Sequence, residues 1–418
     1  MQQPKLRFKT DAGDDFPNLE VKRLGDITIP YNVRNKNTLP LEIYSVNNIV
    51  GFVPQSEQFD DAGYLRNTDT SIYMIVPPKH FAYNPARIDI GSIGYQYLDH
   101  DVQVSSLYEV FKTSDSVDDD FLWMWFHTSY FNHTVKRLQE GGVRLYFYYD
   151  KMQETKIGLP SLAEQQKIAL LFSELDTLIQ STEKELEGYR ELKQCMLQKM
   201  FPKKGKKVPE IRFPEFTGDW EQRKLGDTIP VVTDYVAAGS FADIAANVDY
   251  KSEPDYAQLV RTVDLKHNFE NNDSIYVDKK AFDYLYRVNL DEESIVLPNI
   301  GANIGEVYYI EPSALPYERN VLGPNAIYLK PCKNTKFIYS LFQTVDFQKK
   351  LMISIASSGQ PKFNKTELKE ITITLPNNDE QKKIGEYFSN LDNLITLQQK
   401  EIDGYKELKK GLLQQMFC

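Results

Sequence analysis

The sequence predicts an α+β chain with two mixed, mostly β domains, separated by two long antiparallel helices that form a coiled coil. The whole is a pseudo-two-fold internal repeat. Three observations carry this. The run LPSLAEQQKIALLFSELDTLIQSTEKELEGYRELKQCMLQKMF from Leu159 to Phe201 returns as LPNNDEQKKIGEYFSNLDNLITLQQKEIDGYKELKKGLLQQMF from Leu375 to Phe417, about 216 positions later. In both copies apolar residues fall at alternating steps of three and four. The segments ahead of each copy alternate short β-branched and aromatic runs with Gly, Pro and Asn punctuation.

Residues 1–158 form the first predicted domain. SIYMIV and RIDIGSIGYQYL read as strands, and Phe121, Leu122, Phe126 and Phe131 mark an aromatic helix ahead of the loop GGVRLYFYYD. Residues 159–201 form the first long helix, with Ile168, Phe172, Leu175, Ile179, Leu186 and Tyr189 along its pairing seam. Ser161 and Glu164 stand at capping-box spacing after Pro160, while Pro202 and the basic run Lys203 to Lys207 end the helix; the run reads as a solvated linker, with contact to DNA phosphate as the alternative.

Residues 202–374 hold this linker and the second domain, where SIVLPNI, EVYYI and NAIYL read as strands. Phe337, Ile338, Phe342 and Phe347 repeat the aromatic helix, followed by the loop SSGQPKFNKT. Residues 375–418 form the second long helix, capped by Asn377 with Glu380 and pairing through Ile384, Phe388, Leu391, Ile395, Ile402 and Tyr405.

Other landmarks keep their order. Leu6 to Phe8 matches Ile211 to Phe213, Leu24 to Asp26 matches Leu225 to Asp227, and GSIG at Gly91 resembles GANIG at Gly301. Tyr64 to Arg66, ahead of Asp69, resembles Leu259 to Arg261 ahead of Asp264.

Connectivity sets the helix direction. A parallel pair would oblige the second domain to bridge about 60 Å, the length of a 40-residue helix. An antiparallel pair needs no bridge and brings the C-terminus back to the Leu6–Phe8 segment. Full overlap of the helices would set Gly188 near Ser389 and Gly404 near Ser173, a close small-residue crossing that would explain glycine inside both helices; the alternative is tolerated glycines on a solvent face.

The bulk numbers bound the function. The chain has 418 residues, room for two or three domains. Its three cysteines suggest no disulfide framework and no zinc spacing, in keeping with a cytoplasmic protein. No run of about 18 apolar residues suggests a membrane span. A net charge of −10 argues against a protein coated by nucleic acid through charge alone.

The doubled LP-x3-EQ-x-KI helix, together with the entry IRFPEF-T-GDW-x3-KLGD at Ile211 to Asp227, resembles the specificity subunit of type I restriction-modification enzymes over the whole chain. The first entry lacks the tryptophan found at Trp220 and carries a few extra residues. The resemblance implies a subunit without chemistry of its own. Two target recognition domains would each read half of an asymmetric double-stranded DNA target. The helices would set the spacer and dock two modification subunits, which would use S-adenosylmethionine, while separate restriction subunits would use ATP and Mg²⁺. A coiled-coil scaffold with two protein-binding heads and no DNA specificity is the alternative.

Candidate DNA-reading residues are polar or aromatic and lie in loops that differ between the domains. In the first they are Lys79, His80, Tyr83, Asn84, Arg87, Gln96, Arg144 and Tyr146; in the second, Asn299, Asn303, Arg319, Asn320, Gln360, Lys362 and Asn364. Arg and Lys suit guanine edges, Asn and Gln suit adenine, and phosphates accept either cation. Asp255 with Asp264 and Lys266 imitates the carboxylate and lysine spacing of a metal-dependent nuclease, though the first copy has no such pattern. No methyltransferase NPPF or DPPY run and no GxxxxGK[ST] phosphate loop occurs.

Overall fold

The computed structural model describes residues 3–47, 51–58, 70–141, 145–270, 273–301, 303–331, 333–355 and 362–417. Two long helices, Leu162–Lys199 and Asn378–Met416, dominate it. The chain divides into two compact units, residues 1–183 with 400–418 and residues 184–399, so each unit takes the start of one long helix and the end of the other. Among the described residues no helix is long and apolar enough to cross a membrane.

The first unit contains strands β1 (Glu20–Arg23), β2 (Thr28–Pro30), β3 (Tyr44–Asn47), β4 (Gly51–Pro54), β5 (Met74–Val76), β6 (Phe81–Tyr83), β7 (Ile93–Tyr95), β8 (Val102–Val104), β9 (Glu109–Thr113) and β10 (Lys156–Leu159). An antiparallel sheet runs in the order β2-β9-β6-β7. All three residues of both β6 and β7 are buried: Phe81, Tyr83, Ile93 and Tyr95 share a core with the aromatic helix Asp119–Phe126 and the start of the long helix, while on the other face Ala82 packs with Tyr44 and Met74, and Phe52 and Val46 lie against Gly94. Phe81 stacks on Phe111 across β6 and β9 and meets Phe126 edge-on, a geometry that adds ring attraction to area burial.

The second unit repeats this plan with β11 (Glu221–Lys224), β12 (Val231–Asp234), β13 (Ala257–Val260), β14 (Ile275–Val277), β15 (Ser294–Pro298), β16 (Tyr308–Ile310), β17 (Asn320–Leu322), β18 (Ala326–Lys330) and β19 (Thr372–Leu375). Its main sheet is β12-β18-β15-β16, the same order as in the first unit. The short pairs β1–β10 and β11–β19 also correspond, each tying the domain entry to the strand that leads into a long helix.

The β3–β4 hairpin corresponds to β13–β14. Each first strand approaches a later one in parallel, through the Ile43–Gln103 bridge in one unit and the β13–β17 pair in the other. Leu259 to Arg261 begins in β13, whose counterpart is β3, whereas its proposed partner Tyr64 to Arg66, with Asp69, lies outside the described residues.

Within each unit the helix segments run antiparallel. Lys409 reaches Asp176 at 2.5 Å and Lys406 reaches Glu183 at 2.7 Å in the first; Lys193 reaches Asp392 at 2.5 Å and Arg190 reaches Gln399 at 3.2 Å in the second. Full overlap would have set Asp176 beside Glu401, so the pairing is displaced by about two turns from that expectation. Those turns pack on the domain instead. Ile168, Phe172 and Leu175 join the core of the first unit, and Ile384, Phe388 and Leu391 that of the second. Ile179, Leu186 and Ile402 are buried outside these cores, while Tyr189, Ile395 and Tyr405 are half-buried. The displacement removes the expected glycine crossing: Gly188 and Gly404 are exposed, and a Cβ on either would meet nothing within 4 Å.

Candidate nucleic-acid interface

Each domain is locked to the helix pair by the same three devices. Leu6 N–H donates to Gln415 O, as Ile211 N–H donates to Lys199 O, which holds the LeuArgPhe and IleArgPhe segments against the ends of the long helices. Phe417 contacts Phe121 and Phe172, as Phe201 contacts Phe337 and Phe388. Arg7 forms a two-pronged bond to Glu164, as Arg212 does to Glu380, whose side chains are only 1% and 0% exposed. The expected capping boxes are therefore half formed. Ser161 and Asn377 accept the Glu164 and Glu380 N–H groups, but the two carboxylates serve the arginines instead.

Structure divides the candidates of the first domain. Lys79 is exposed at the start of β6 with φ +58°, and His80 beside it packs edge-on against Tyr31. Gln96 is 1% exposed and spends its amide on His100 O and Leu98 N–H. Tyr83 is fully buried, so burial pushes its phenol well up and it offers no edge to a base. At the other end of β6, Asn84, Arg87 and Tyr146 line one cleft of about 780 Å³. Arg144 lies outside the described residues.

That cleft is built on a fixed turn. Asn84 Oδ1 accepts the Ala86 N–H at 3.0 Å, Arg87 N–H donates to Asn84 O, and Ser92 N–H donates to Arg87 O. Gly91 closes the turn with φ +90°, a conformation that suits glycine. Phe147 N–H donates to Pro85 O, which brings Tyr146 and Tyr148 alongside, their rings stacked at 5.4 Å and 6°. Arg34 and Tyr148 also line the cleft, and sequence reasoning missed both. Arg34 belongs to the polar run NVRNKN, which carries no strand pattern. Tyr148 stands 216 positions before Asn364, the same spacing that relates Tyr146 to Lys362, and that regularity could have found it.

In the second domain Asn299, Lys362 and Asn364 come together. Phe363 N–H donates to Asn299 O, Asn299 Nδ2 donates to Phe363 O, and Ile300 bridges to Lys362. Asn364 caps the helix Lys365–Glu370, its Oδ1 accepting N–H groups of Thr366 and Glu367, so this side chain is committed to structure. Asn303 accepts from Lys266. Arg319 lies over the Tyr256 ring at 4.7 Å, and Asn320 is 5% exposed inside β17, away from that group. Gln360 lies outside the described residues.

The nuclease-like residues are engaged elsewhere. Asp264 accepts from the Arg261 side chain and backbone, Asp255 pairs with Lys251, and Lys266 pairs with Glu306. Burial would raise the Glu306 carboxyl, but Lys266 and Tyr308 donating to it hold it below its usual value. Among the described residues no group of three or more His, Cys, Asp or Glu side chains is placed to hold a metal ion.

Comparison with known proteins follows the same division. The relative named as the Type I restriction enzyme MjaVIII specificity subunit, from Methanocaldococcus jannaschii, is 26% identical over 97% of this chain and 94% of its own. The fold matches the type I restriction-modification S subunit from M. genitalium with a TM-score of 0.58 and 15% identity, covering 100% of this chain and 99% of that one. A chain from a study of complex assembly and conformational transition in the type I R-M system matches with a TM-score of 0.53 and 14% identity, over 95% and 97%. One family model, the type I restriction modification DNA specificity domain, matches residues 17–188 and again residues 217–406, and the chain belongs to that family.

Proposed function

We propose that the chain is the DNA-recognition subunit of a type I restriction-modification complex. Residues 1–158 are its first target recognition domain and residues 202–374 hold the linker and the second, each domain reading one half of an asymmetric bipartite target. The long helices, within 159–201 and 375–418, set the unread spacer and dock two modification subunits, through which the restriction subunits join. S-adenosylmethionine, ATP and Mg²⁺ belong to those partners.

One observation carries the reading. Two domains of one topology place different side chains at equivalent sites, with Tyr146 where the other has Lys362, and an uncommitted Tyr148 where it has the helix cap Asn364. Equal frames with unequal reading groups suit two unequal half-sites. Arg, Asn and Tyr at strand ends can meet base edges, while phosphate contacts fix position. The acidic chain then relies on partners for most phosphate contacts.

Co-expression with modification subunits and genome-wide adenine methylation mapping tests this. A split, asymmetric methylated sequence is expected. Assembly with those subunits but methylation without sequence preference would leave the scaffold alternative.

A further inference from the structure

The cleft at the end of β6 in the first domain differs in kind from its counterpart in the second. Arg34 and Arg87 both line it, together with the stacked Tyr146 and Tyr148. Both arginines are exposed, and among the described residues neither guanidinium has an ion pair or hydrogen bond. Their backbones are held. Val33 O accepts the Ile75 N–H and Asn35 N–H donates to Tyr73 O on either side of Arg34, while the fixed turn holds Arg87. An unpaired guanidinium on a fixed backbone is prepared for a partner from outside the chain.

The chemistry of the lining narrows that partner. Arg presents a planar fork of donors, which matches the O6 and N7 acceptors of guanine in the major groove. Asp89 and Glu109 lie in the same cleft, and carboxylates accept from the cytosine N4 amine. Burial raises the Glu109 carboxyl. Donor forks beside acceptors complement both edges of a G·C pair, whereas a phosphate site would gain nothing from acids.

The other domain supplies a contrast. At the corresponding ends of β12, β15 and β18 lies a cleft of about 700 Å³, lined by Phe241, Ile300, Asn299 and Asn325 among others and, among the described residues, by no Lys or Arg; the adjacent Lys365 is spent on Asp234 of the lining at 2.8 Å. The far end of the first domain's sheet is closed instead. There Tyr95 and Thr113 donate to Asp119, next to Asp118, whose N–H donates to Gln165 of the long helix.

We propose that the Arg34–Arg87 cleft is a guanine-reading subsite of the first domain, with these two arginines as its specificity-determining residues. This rests on the DNA-recognition function proposed above. The second domain, with no arginine among the described residues lining its cleft, takes its half-site by other groups.

The test uses the complete complex with its modification subunits, and measures methylation kcat/KM on duplexes carrying each base in turn across both half-sites. The wild type is expected to require guanine at one or more positions of the half-site read by the first domain. Arg34→Gln and Arg87→Gln should each cut the preference for one such guanine about 10- to 100-fold, the range of one bidentate contact. Arg87→Lys should keep part of that preference. Discrimination at the other half-site should be unchanged in every variant, which also reports that the protein is folded.

A uniform loss over all sequences, with a shallower salt dependence, would make these arginines phosphate contacts and overturn the proposal. A first half-site indifferent to guanine would overturn it as well. Methylation without any sequence preference by the wild-type complex would instead remove the recognition function itself, and the subsite with it.

Discussion

Glu164 and Glu380 show how a residue can be legible in position and misread in role. Their spacing from Ser161 and Asn377 marks the helix starts correctly, yet the carboxylates turn away to Arg7 and Arg212. Sequence spacing cannot see that arginine, because the partner lies 157 or 168 positions away. A carboxylate this buried is tolerated only while its charge is matched. Glu380→Ala leaves Arg212, 13% exposed, without its counter-charge, and breaking a buried pair from one side costs about 3–5 kcal/mol. Urea unfolding should show that loss for Glu380→Ala, and a much smaller one when Arg212→Met is combined with Glu380→Leu. Equal losses in the single and double variants would mean that the pair does not act as a unit. The candidate site was partly legible by the same logic. Residue type selected Asn84, Arg87, Asn299 and Lys362, which sit at the equivalent strand ends, but also Tyr83 and Asn320, which the strands turn inward. Type and loop context do not reveal which face of a three-residue strand is buried.

At the scale of elements the long helices were readable because their apolar period runs unbroken for about ten turns. Their displacement was not, since the same seam residues serve domain core and partner helix alike. Phe172 illustrates this, with the end of the second helix, through Phe417, packed against it inside the domain core. The glycines follow from that displacement. Because Gly188 and Gly404 face open space, alanine at either position should stabilise the chain by about 0.5–1 kcal/mol through helix propensity alone. Gly385 is the opposite case. A Cβ there would lie 2.8 Å from Phe337 N, so Gly385→Ala should destabilise, although the first copy carries alanine at the matching position, Ala169. Denaturant midpoints of the three variants check this, and a loss of stability in Gly188→Ala or Gly404→Ala would restore the close crossing.

The whole molecule was legible as a repeat because the helices diverged little, while the domains had to be matched through strand order. The sheets β2-β9-β6-β7 and β12-β18-β15-β16 correspond although their sequences do not, since buried strands demand apolar character and register but few particular residues. Divergence is thus free at strand ends and constrained at the clasps, where Arg7, Glu164 and Phe417 repeat as Arg212, Glu380 and Phe201. If those clasps fix each domain to the helices, helix length sets the distance between the half-sites the domains read. One heptad added to each long helix, in register, lengthens it by about 10 Å. At about 3.4 Å per base pair that is about three base pairs. Methylation mapping of such a variant with its modification subunits should return both original half-sites with a spacer longer by about three unread positions. The original spacer, recovered from an assembled and active complex, would mean that something other than the helices measures the gap.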